Sequence, residues 1–180
     1  MTSRGHSGTR TGRLVLRPST LEDLSVLVRH RRGMWEEIGG RTRDELDRAD
    51  PVYRRWVARE ARARHVVGFV VEDGRGHAVG SGAVWLRPAQ PRPGPFARPR
   101  MPYIMSMYTE PAYRGRGVAS RIVRAMVRWA RLRGYRRILL HASHAGRPVY
   151  AKLGFADSNE MRLELSRRRA PRSAARRGSR

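Results

Sequence analysis

Residues 103–142 place an apolar run, a glycine-containing turn, an amphipathic stretch and a second apolar run in direct succession, an order that few folds accommodate. Residues 103–108 and 137–142 are apolar and predict two strands, the second of them buried. Residues 117–132 predict a helix that ends before Gly134. Its apolar side would consist of Val118, Ile122, Val123, Met126 and Ala130, and its polar side of Arg121, Arg124, Arg128 and Arg131. This order predicts a βαβ unit at the centre of a sheet.

The N-terminal half predicts a hairpin preceded by helices. Residues 65–72 and 77–86 are apolar and β-branched, and the Asp-Gly-Arg-Gly sequence between them predicts an antiparallel hairpin. A strand at 13–17 precedes a helix that begins at Ser19-Thr20. Polar helical stretches follow at 34–38, 42–48 and 51–62, with Pro51 in the first turn of the last one.

The remaining segments complete the predicted domain. Six prolines within residues 88–102 predict a surface loop, and the C-terminal part predicts a short helix at 148–152 and a last strand at 161–165. We therefore expect an α/β (α+β) fold with a mixed, mostly antiparallel central sheet of about six to seven strands, a central βαβ unit and flanking helices.

Length and composition restrict the classes of protein to consider. A chain of 180 residues is long enough for one domain, which we expect over 13–166 between a basic flexible N-terminus at 1–12 and a disordered arginine-rich tail at 167–180. There is no cysteine, which excludes disulfides, thiolate chemistry and sulfur-ligated zinc. Neither a signal peptide nor a membrane-spanning stretch is readable, so we expect a cytoplasmic protein.

The charge of the chain has two interpretations. The formal net charge is +24, and the tail at 167–180 holds seven arginines and no acid, which is compatible with a nucleic-acid partner. However, Lys152 is the only lysine among 39 basic residues, a bias that codon usage rich in G and C also produces. The charge alone therefore does not decide between the two.

The turn before the predicted helix has the composition of an anion site. It reads Tyr-Arg-Gly-Arg-Gly-Val-Ala-Ser over 113–120, where glycines let backbone N–H groups face a phosphate and the helix N-terminus adds about half a positive charge. It lacks the Gly-Lys-Ser/Thr end of a P-loop, and Ser120 replaces the third glycine of a dinucleotide fingerprint. No acid follows until Asp157, which argues against NAD. A turn rich in arginine and glycine without a ligand is the alternative.

Two motifs resemble the GNAT superfamily of acyl-CoA-dependent N-acetyltransferases. Arg114-x-x-Gly117-x-Ala119 is similar to the Arg/Gln-x-x-Gly-x-Gly/Ala signature of that family, and it stands between a predicted strand and a predicted helix as the family requires. Some 30 residues later, the sequence at 149–155, Val-Tyr-Ala-Lys-Leu-Gly-Phe, resembles the Leu-Tyr-x-Lys-Leu-Gly-Phe segment that closes the same fold. The resemblance is specific over 102–165 and only architectural over 13–87.

The resemblance implies roles for particular residues. Main-chain groups of Met107, Tyr108 and Thr109 would bind the pantetheine arm of acetyl-CoA. Its pyrophosphate would be held by the cradle, by which we mean the segment Arg114, Gly115, Arg116, Gly117, Val118, Ala119 and Ser120. Tyr150 would touch the cosubstrate and act as the general acid that protonates the departing thiolate. Ser143 stands where the family often has asparagine, and Gly146 where it often has alanine, so this chain differs at the mouth of the groove.

The base that deprotonates the acceptor amine is less well marked. The predicted strand at 103–108 carries no acid; Glu110 is the nearest carboxylate, and Glu36 or Glu37 would approach from the N-terminal helices. A solvated surface carboxylate is the alternative for each of them. His141 and His144 fit packing or capping roles better than a catalytic one, and we expect no metal site.

An acidic segment suggests what the acceptor is. Residues 36–50 hold six of the fifteen acids against three arginines, in a chain that is otherwise basic. Such a local field would attract a cationic amine, such as a polyamine, an aminoglycoside-like compound or a basic peptide. A helix whose acids pair with neighbouring arginines is the alternative.

The sequence thus predicts a GNAT-like N-acetyltransferase that moves an acetyl group from acetyl-CoA to a primary amine of a small molecule, peptide or protein. Attack would be direct, in a ternary complex, with a main-chain N–H of the central strand stabilising the oxyanion of a tetrahedral adduct. The rival hypothesis is a basic module, associated with nucleic acid or the ribosome, on the same fold with weak or no acyl transfer. A third hypothesis is an acyltransferase whose acceptor is itself a nucleic-acid-bound protein. A homodimer is left open.

Overall fold

A computed structural model describes residues 13–90 and 99–163 of the chain. Its sheet has five strands in the spatial order β1 (Val15–Pro18), β2 (Val66–Glu72), β3 (Ala78–Pro88), β4 (Arg100–Thr109) and β5 (Leu139–Leu140). Neighbouring strands are antiparallel except for β4 and β5, which are parallel. The helices are α1 (Leu24–Ile38), α2 (Arg43–Arg62), α3 (Val118–Leu132) and α4 (Arg147–Ala151), with short 3-10 turns at Leu21–Asp23 and Pro111–Tyr113.

The sheet separates two apolar cores. On one face α3 buries the five apolar residues that its sequence period marks, and they pack against β2, β3 and β4. On the other face α1 and α2 pack through Leu24, Leu27, Tyr53 and Val57. The fold therefore has three layers, and β4 lies between α3 and the α1–α2 pair.

The central features predicted from the sequence are confirmed. The chain between β2 and β3 turns where Asp73 accepts hydrogen bonds from the backbone N–H groups of Arg75 and His77, at 2.9 Å and 3.0 Å. The connection from β4 through α3 to β5 forms the parallel βαβ unit, with Tyr103 opposite Leu139. The α/β class with a mostly antiparallel sheet and flanking helices is likewise confirmed.

The strand count is lower than the six to seven expected. In the described ranges the sheet has five strands, and residues 161–163 of the expected last strand are not in a strand, with Met161 95% and Leu163 81% exposed. The alternating pattern there predicts a strand, but a strand also needs a partner, and this segment has none among the described residues. The buried strand expected at 137–142 shrinks to the two half-buried residues of β5, because β4 and β5 pair only at their first two positions.

The helical region is more continuous than expected. Helix α2 starts at the Thr42 cap, whose side chain accepts from the N–H of Glu45, and it runs through Pro51 without a break. The expectation of Pro51 as a first-turn residue was wrong, because Thr42 and Glu45 already form a capping box upstream. Helix α1 also continues through Gly33, where a Cβ atom would lie 2.8 Å from Cζ of Tyr108, so the close approach of helix and β4 requires glycine.

The proline-rich segment is shorter as a loop than expected. Strand β3 extends to Pro88 and β4 begins at Arg100, and these two residues pair. Pro102, expected in the loop, is buried within β4. The centre of the segment, 91–98, and the terminal regions 1–12 and 164–180 lie outside the described residues, which leaves both terminal assignments as predictions.

One ionic cluster anchors β1. Arg17 donates to both carboxylate oxygens of Asp23, at 2.7 Å and 2.8 Å, and to Glu72 of β2 at 2.5 Å. Hydrogen bonds from the Arg17 guanidinium lower the pKa of the Asp23 carboxyl, against the opposing effect of burial.

This cluster predicts an acid-dependent stability. Because the pKa of Asp23 is lower in the folded than in the unfolded state, its stabilisation is present above the unfolded pKa and is lost as pH falls through the folded pKa. We expect Asp23→Asn to lower the free energy of unfolding by about 2 kcal/mol at pH 7, since it removes charged hydrogen bonds. Urea unfolding at pH 7 and below pH 4 measures this. An equal difference between the two proteins at both pH values would contradict it.

Candidate functional site

Strand β4 carries a bulge at its centre. Ser81 of β3 pairs with Tyr108 and Ala83 pairs with Met105, so one β3 residue opposes both Ser106 and Met107. Ser106 has a φ of 53°, a conformation that non-glycine residues rarely adopt. The hydroxyl of Tyr53 from α2 lies 3.3 Å from its Oγ. The bulge interrupts the regular pairing of β4, as the main-chain role expected for Met107 to Thr109 requires.

The cradle follows β4 directly and forms the N-terminus of α3. Gly115 and Gly117 have φ values of 73° and 77°, which glycine adopts without steric cost. The N–H of Arg121 bonds to the carbonyl of Gly117, so the N–H groups of the first helical turn have no partner within the helix. Gly117 provides no side-chain cap. These free donors at the positive end of the helix dipole fit a pyrophosphate.

Arg114 joins the cradle to β4 and α1. Its Nε donates to the carbonyl of Thr109 at 3.1 Å, and its guanidinium pairs with Glu37 and lies over the ring of Tyr108. Burial, and then the charges of Glu37 and Glu110, raise the pKa of the Tyr108 hydroxyl. The structure thus brings together Glu37, Tyr108, Thr109 and Arg114 from the expected set of site residues.

A buried histidine supports Glu110. Nε2 of His30 lies 3.2 Å from a Glu110 oxygen, and Nδ1 lies 2.9 Å from Oγ of Ser81. Burial, and next the charge of Arg29, lowers the pKa of His30, which favours the neutral ring. In that state the Ser81 hydroxyl donates to Nδ1 and the Nε2–H donates to Glu110. Glu110 also lines an open cleft of about 540 Å³ together with Arg29, Val79 and Tyr113.

Tyr150 lies apart from these carboxylates. It belongs to α4, packs edge-on against Phe155 with ring centroids 5.8 Å apart, and borders the core under α3. Burial, followed by the nearby Tyr103, raises the pKa of Tyr150 to about 12. The phenol is therefore protonated at neutral pH. In the part of the chain that the structure describes, it contacts neither Glu37 nor Glu110.

The remaining expected residues contribute through the backbone or stand close to Tyr150. The side chains of Met107 and Val118 belong to the core under α3, so only their main-chain groups could reach a ligand. Ser143 accepts a hydrogen bond from the N–H of Gly146 at 3.1 Å, one turn before Tyr150. His141 contacts the Tyr103 hydroxyl and lies 3.2 Å from Glu160, which agrees with a packing role.

The acidic segment is largely paired with arginine. Arg32 binds Glu36, Asp47 and Asp50 at 3.0 Å or less, Glu37 pairs with Arg114, and Glu45 caps α2. The alternative interpretation of helical acids neutralised by nearby arginines therefore describes this surface. The segment no longer argues for a cationic acceptor.

Sequence patterns did not reveal several residues of the site. His30, Ser81, Tyr53 and Ser106 come together from α1, β3, α2 and β4, and none stands in a motif. His30 follows Leu24 and Leu27 on the buried face of α1, and a titratable residue on such a face was the one available signal.

Two searches of the described residues gave no site. They contain no group of three or more histidine or acidic residues that could hold a metal ion. No helix among them is long and apolar enough to cross a membrane.

A bulged strand that leads into a glycine-preceded, uncapped helix N-terminus defines the class of acyl-CoA-dependent transferases, and comparison with known proteins agrees. Residues 27–155 match the acetyltransferase (GNAT) family. The chain therefore belongs to the GNAT acetyltransferase family, whose acyl donor is acetyl-CoA.

Relatives with known names span several acceptors. Mycothiol acetyltransferase of Amycolatopsis mediterranei is 30% identical over 77% of this chain, which covers 44% of that protein's length. Glucosamine 6-phosphate N-acetyltransferase of Trypanosoma brucei brucei is 29% identical over 67% of this chain and 82% of its own. A predicted acetyltransferase of Clostridium acetobutylicum, crystallised with acetyl-CoA, is 29% identical with a TM-score of 0.75, over 86% of this chain and 96% of its own.

Proposed function

We propose that the protein is an N-acetyltransferase that transfers the acetyl group of acetyl-CoA to a primary amine of a small molecule, peptide or protein. The observation that carries this proposal is the succession of the β4 bulge and the cradle. Free backbone donors at the start of α3 suit a pyrophosphate, and the interrupted pairing of β4 suits a ligand that runs along the strand. Arg114 links the two parts.

Transfer proceeds by direct attack of the amine nitrogen on the thioester carbonyl. A C–N bond forms, the C–S bond breaks, and the thiolate takes a proton from the Tyr150 hydroxyl. A β4 main-chain N–H stabilises the oxyanion of the tetrahedral adduct. The amine proton passes to a carboxylate, for which Glu110 and Glu37 are the candidates. We favour Glu110, because it faces an open cleft while Arg114 holds Glu37.

The acceptor is an amine whose further chemistry the relatives only outline. Proteins similar to this chain are named for acetylating mycothiol precursors and glucosamine 6-phosphate in the broad sense of their printed names, mycothiol acetyltransferase and glucosamine 6-phosphate N-acetyltransferase. We propose an amine screen that contains amino sugars, polyamines, aminoglycosides and N-terminal peptides.

Calorimetric titration with acetyl-CoA tests the proposal. A protein of charge +24 attracts any polyanion, so the titration is run at high salt, where nonspecific attraction is screened. Stoichiometric binding that resists salt supports the enzyme. Absence of such binding would reduce the cradle to a structural turn and favour the basic nucleic-acid module.

Glu110→Gln tests the proposed base. We expect kcat to fall about 100-fold with little change in affinity for acetyl-CoA, since the amide cannot accept the amine proton. The loss should shrink as pH rises towards the pKa of the acceptor amine, where free amine is abundant. Glu22→Gln, in the 3-10 turn before α1, is the matched control. A Glu110→Gln rate equal to that of the control would assign the role elsewhere, and Glu37→Gln is then compared in the same way.

A further inference from the structure

The outward face of α3 carries a row of four exposed arginines, which we call the arginine ridge: Arg121, Arg124, Arg128 and Arg131. They recur at intervals of three and four residues, so they form a single line opposite the buried face of the helix. At 1.5 Å per residue this line is about 15 Å long. Its length and direction suit a linear polyanion.

No acid neutralises the ridge from within its own part of the chain. Between Glu110 and Asp157 there are eleven basic residues and no aspartate or glutamate. Arg121 donates to the carbonyl of Leu14 at 3.0 Å. Among the described residues, no carboxylate pairs with the other three members of the ridge.

The opposite face of the sheet is built differently. There Arg32 of α1 binds three carboxylates from α1 and α2. Seven of the fifteen acids lie between residues 36 and 60, on or beside those two helices. Codon bias would enrich arginine everywhere, but it does not explain why acids accompany arginine on one face and are missing from the other. The fold thus sets a neutralised face against a positive one.

A stack of planar groups flanks the ridge at the end of α3. The guanidinium of Arg133 lies 4.4 Å from the ring centroid of Trp129, and Trp129 stacks on Tyr135 at 6.2 Å with 15° between the ring planes. All three side chains are at least partly exposed. Planar groups of this kind stack on nucleobases without selecting a sequence.

We propose that the arginine ridge binds the phosphate backbone of a single-stranded nucleic acid, with the Trp129 stack receiving a base at one end. Arginine suits this ligand because its planar fork donates two hydrogen bonds to one phosphate. An anionic membrane fits less well, because a helix that lies on a bilayer inserts its apolar face, and the apolar face of α3 is buried in the core. The ridge is separate from the cradle and does not depend on acyl transfer.

Charge reversal on the full-length chain tests the ridge. The probe is a short fluorescent RNA of mixed sequence, and anisotropy gives the affinity at several salt concentrations. The test variant is Arg124→Glu with Arg128→Glu, and the control is Arg48→Glu with Arg54→Glu on α2, which changes the net charge equally. Since each lost phosphate contact lowers the logarithmic salt slope by about 0.7, we expect a decrease of about 1.4 and at least a tenfold loss of affinity. The control should stay within about twofold.

Three outcomes would overturn the proposal. Equal losses in test and control variants would mean that net charge alone binds RNA. No loss in either would assign binding to the terminal arginines, and stronger dependence of anionic vesicle binding than of RNA binding on the ridge would point to a membrane. Acetyl-CoA titration of both variants verifies folding, and its failure in the wild type would count against the proposed enzyme but not against the ridge.

Discussion

Replacing Gly117 by valine is expected to lower the affinity for acetyl-CoA at least 100-fold. Gly117 has a φ of 77°, and no atom lies within 4 Å of the position a Cβ would occupy. The penalty therefore comes from backbone conformation and not from a clash. A β-branched residue in this region costs about 1–2 kcal/mol, and relaxing it would turn the first N–H groups of α3 away from the pyrophosphate.

Gly40→Val provides a matched control. Gly40 lies between α1 and α2 with a φ of 73° and is likewise free of neighbours within 4 Å. Its substitution carries a similar strain at a distance from the cradle. Calorimetry and thermal unfolding of both variants separate the effects: similar melting temperatures with lost affinity only in Gly117→Val support the cradle. Retained affinity in Gly117→Val would refute the cradle, and equal loss in both would indicate a general effect of strain.

Tyr150→Phe is expected to lower kcat about 1,000-fold while leaving the affinity for acetyl-CoA within about threefold, which lies within the usual range for a general acid. The phenyl ring preserves the edge-on contact with Phe155, so packing is retained. Steady-state kinetics with an acceptor from the amine screen provides the measurement. Tyr103→Phe, which removes the neighbouring phenol hydroxyl, is the control and should change kcat by less than about threefold.

The pH dependence adds a second criterion. The pKa of Tyr150 is raised to about 12, so its hydroxyl stays protonated across the range in which the enzyme can be assayed. The wild-type kcat should therefore not decline between pH 8 and 10 through loss of the acid. A decline there that Tyr150→Phe abolishes would mean that the tyrosine titrates in this range, and wild-type turnover in the variant would exclude the role.

Local signals were sufficient where one segment determines its own structure. The period of α3 identifies its buried face because side chains three and four apart share a side, and the Asp-Gly-Arg-Gly turn identifies its hairpin. The cradle was recognisable because glycine at a positive φ and a helix start occur in fixed order. These features depend on neighbours in sequence.

Features that depend on distant partners were not predictable from the sequence alone. Residues 161–163 alternate like a strand, but whether a strand forms depends on an edge elsewhere in the sheet. Pro51 is a plausible helix start by itself, yet the capping box at Thr42 had already started the helix. The contact of His30 with Ser81 and Glu110 joins three elements, and no spacing along the chain encodes it.

The bulge in β4 also divides that strand into halves of opposite parity. Before it, even-numbered Ile104 faces α3 and odd-numbered Met105 faces α2; after it, odd-numbered Met107 faces α3 and even-numbered Tyr108 faces α1. The extra residue thus decides that Tyr108 meets His30 instead of the opposite core. Deleting Ser106 would exchange the two sides for every later position of the strand, so a homologue lacking this residue would need a different set of side chains from 107 to 110 to preserve both layers.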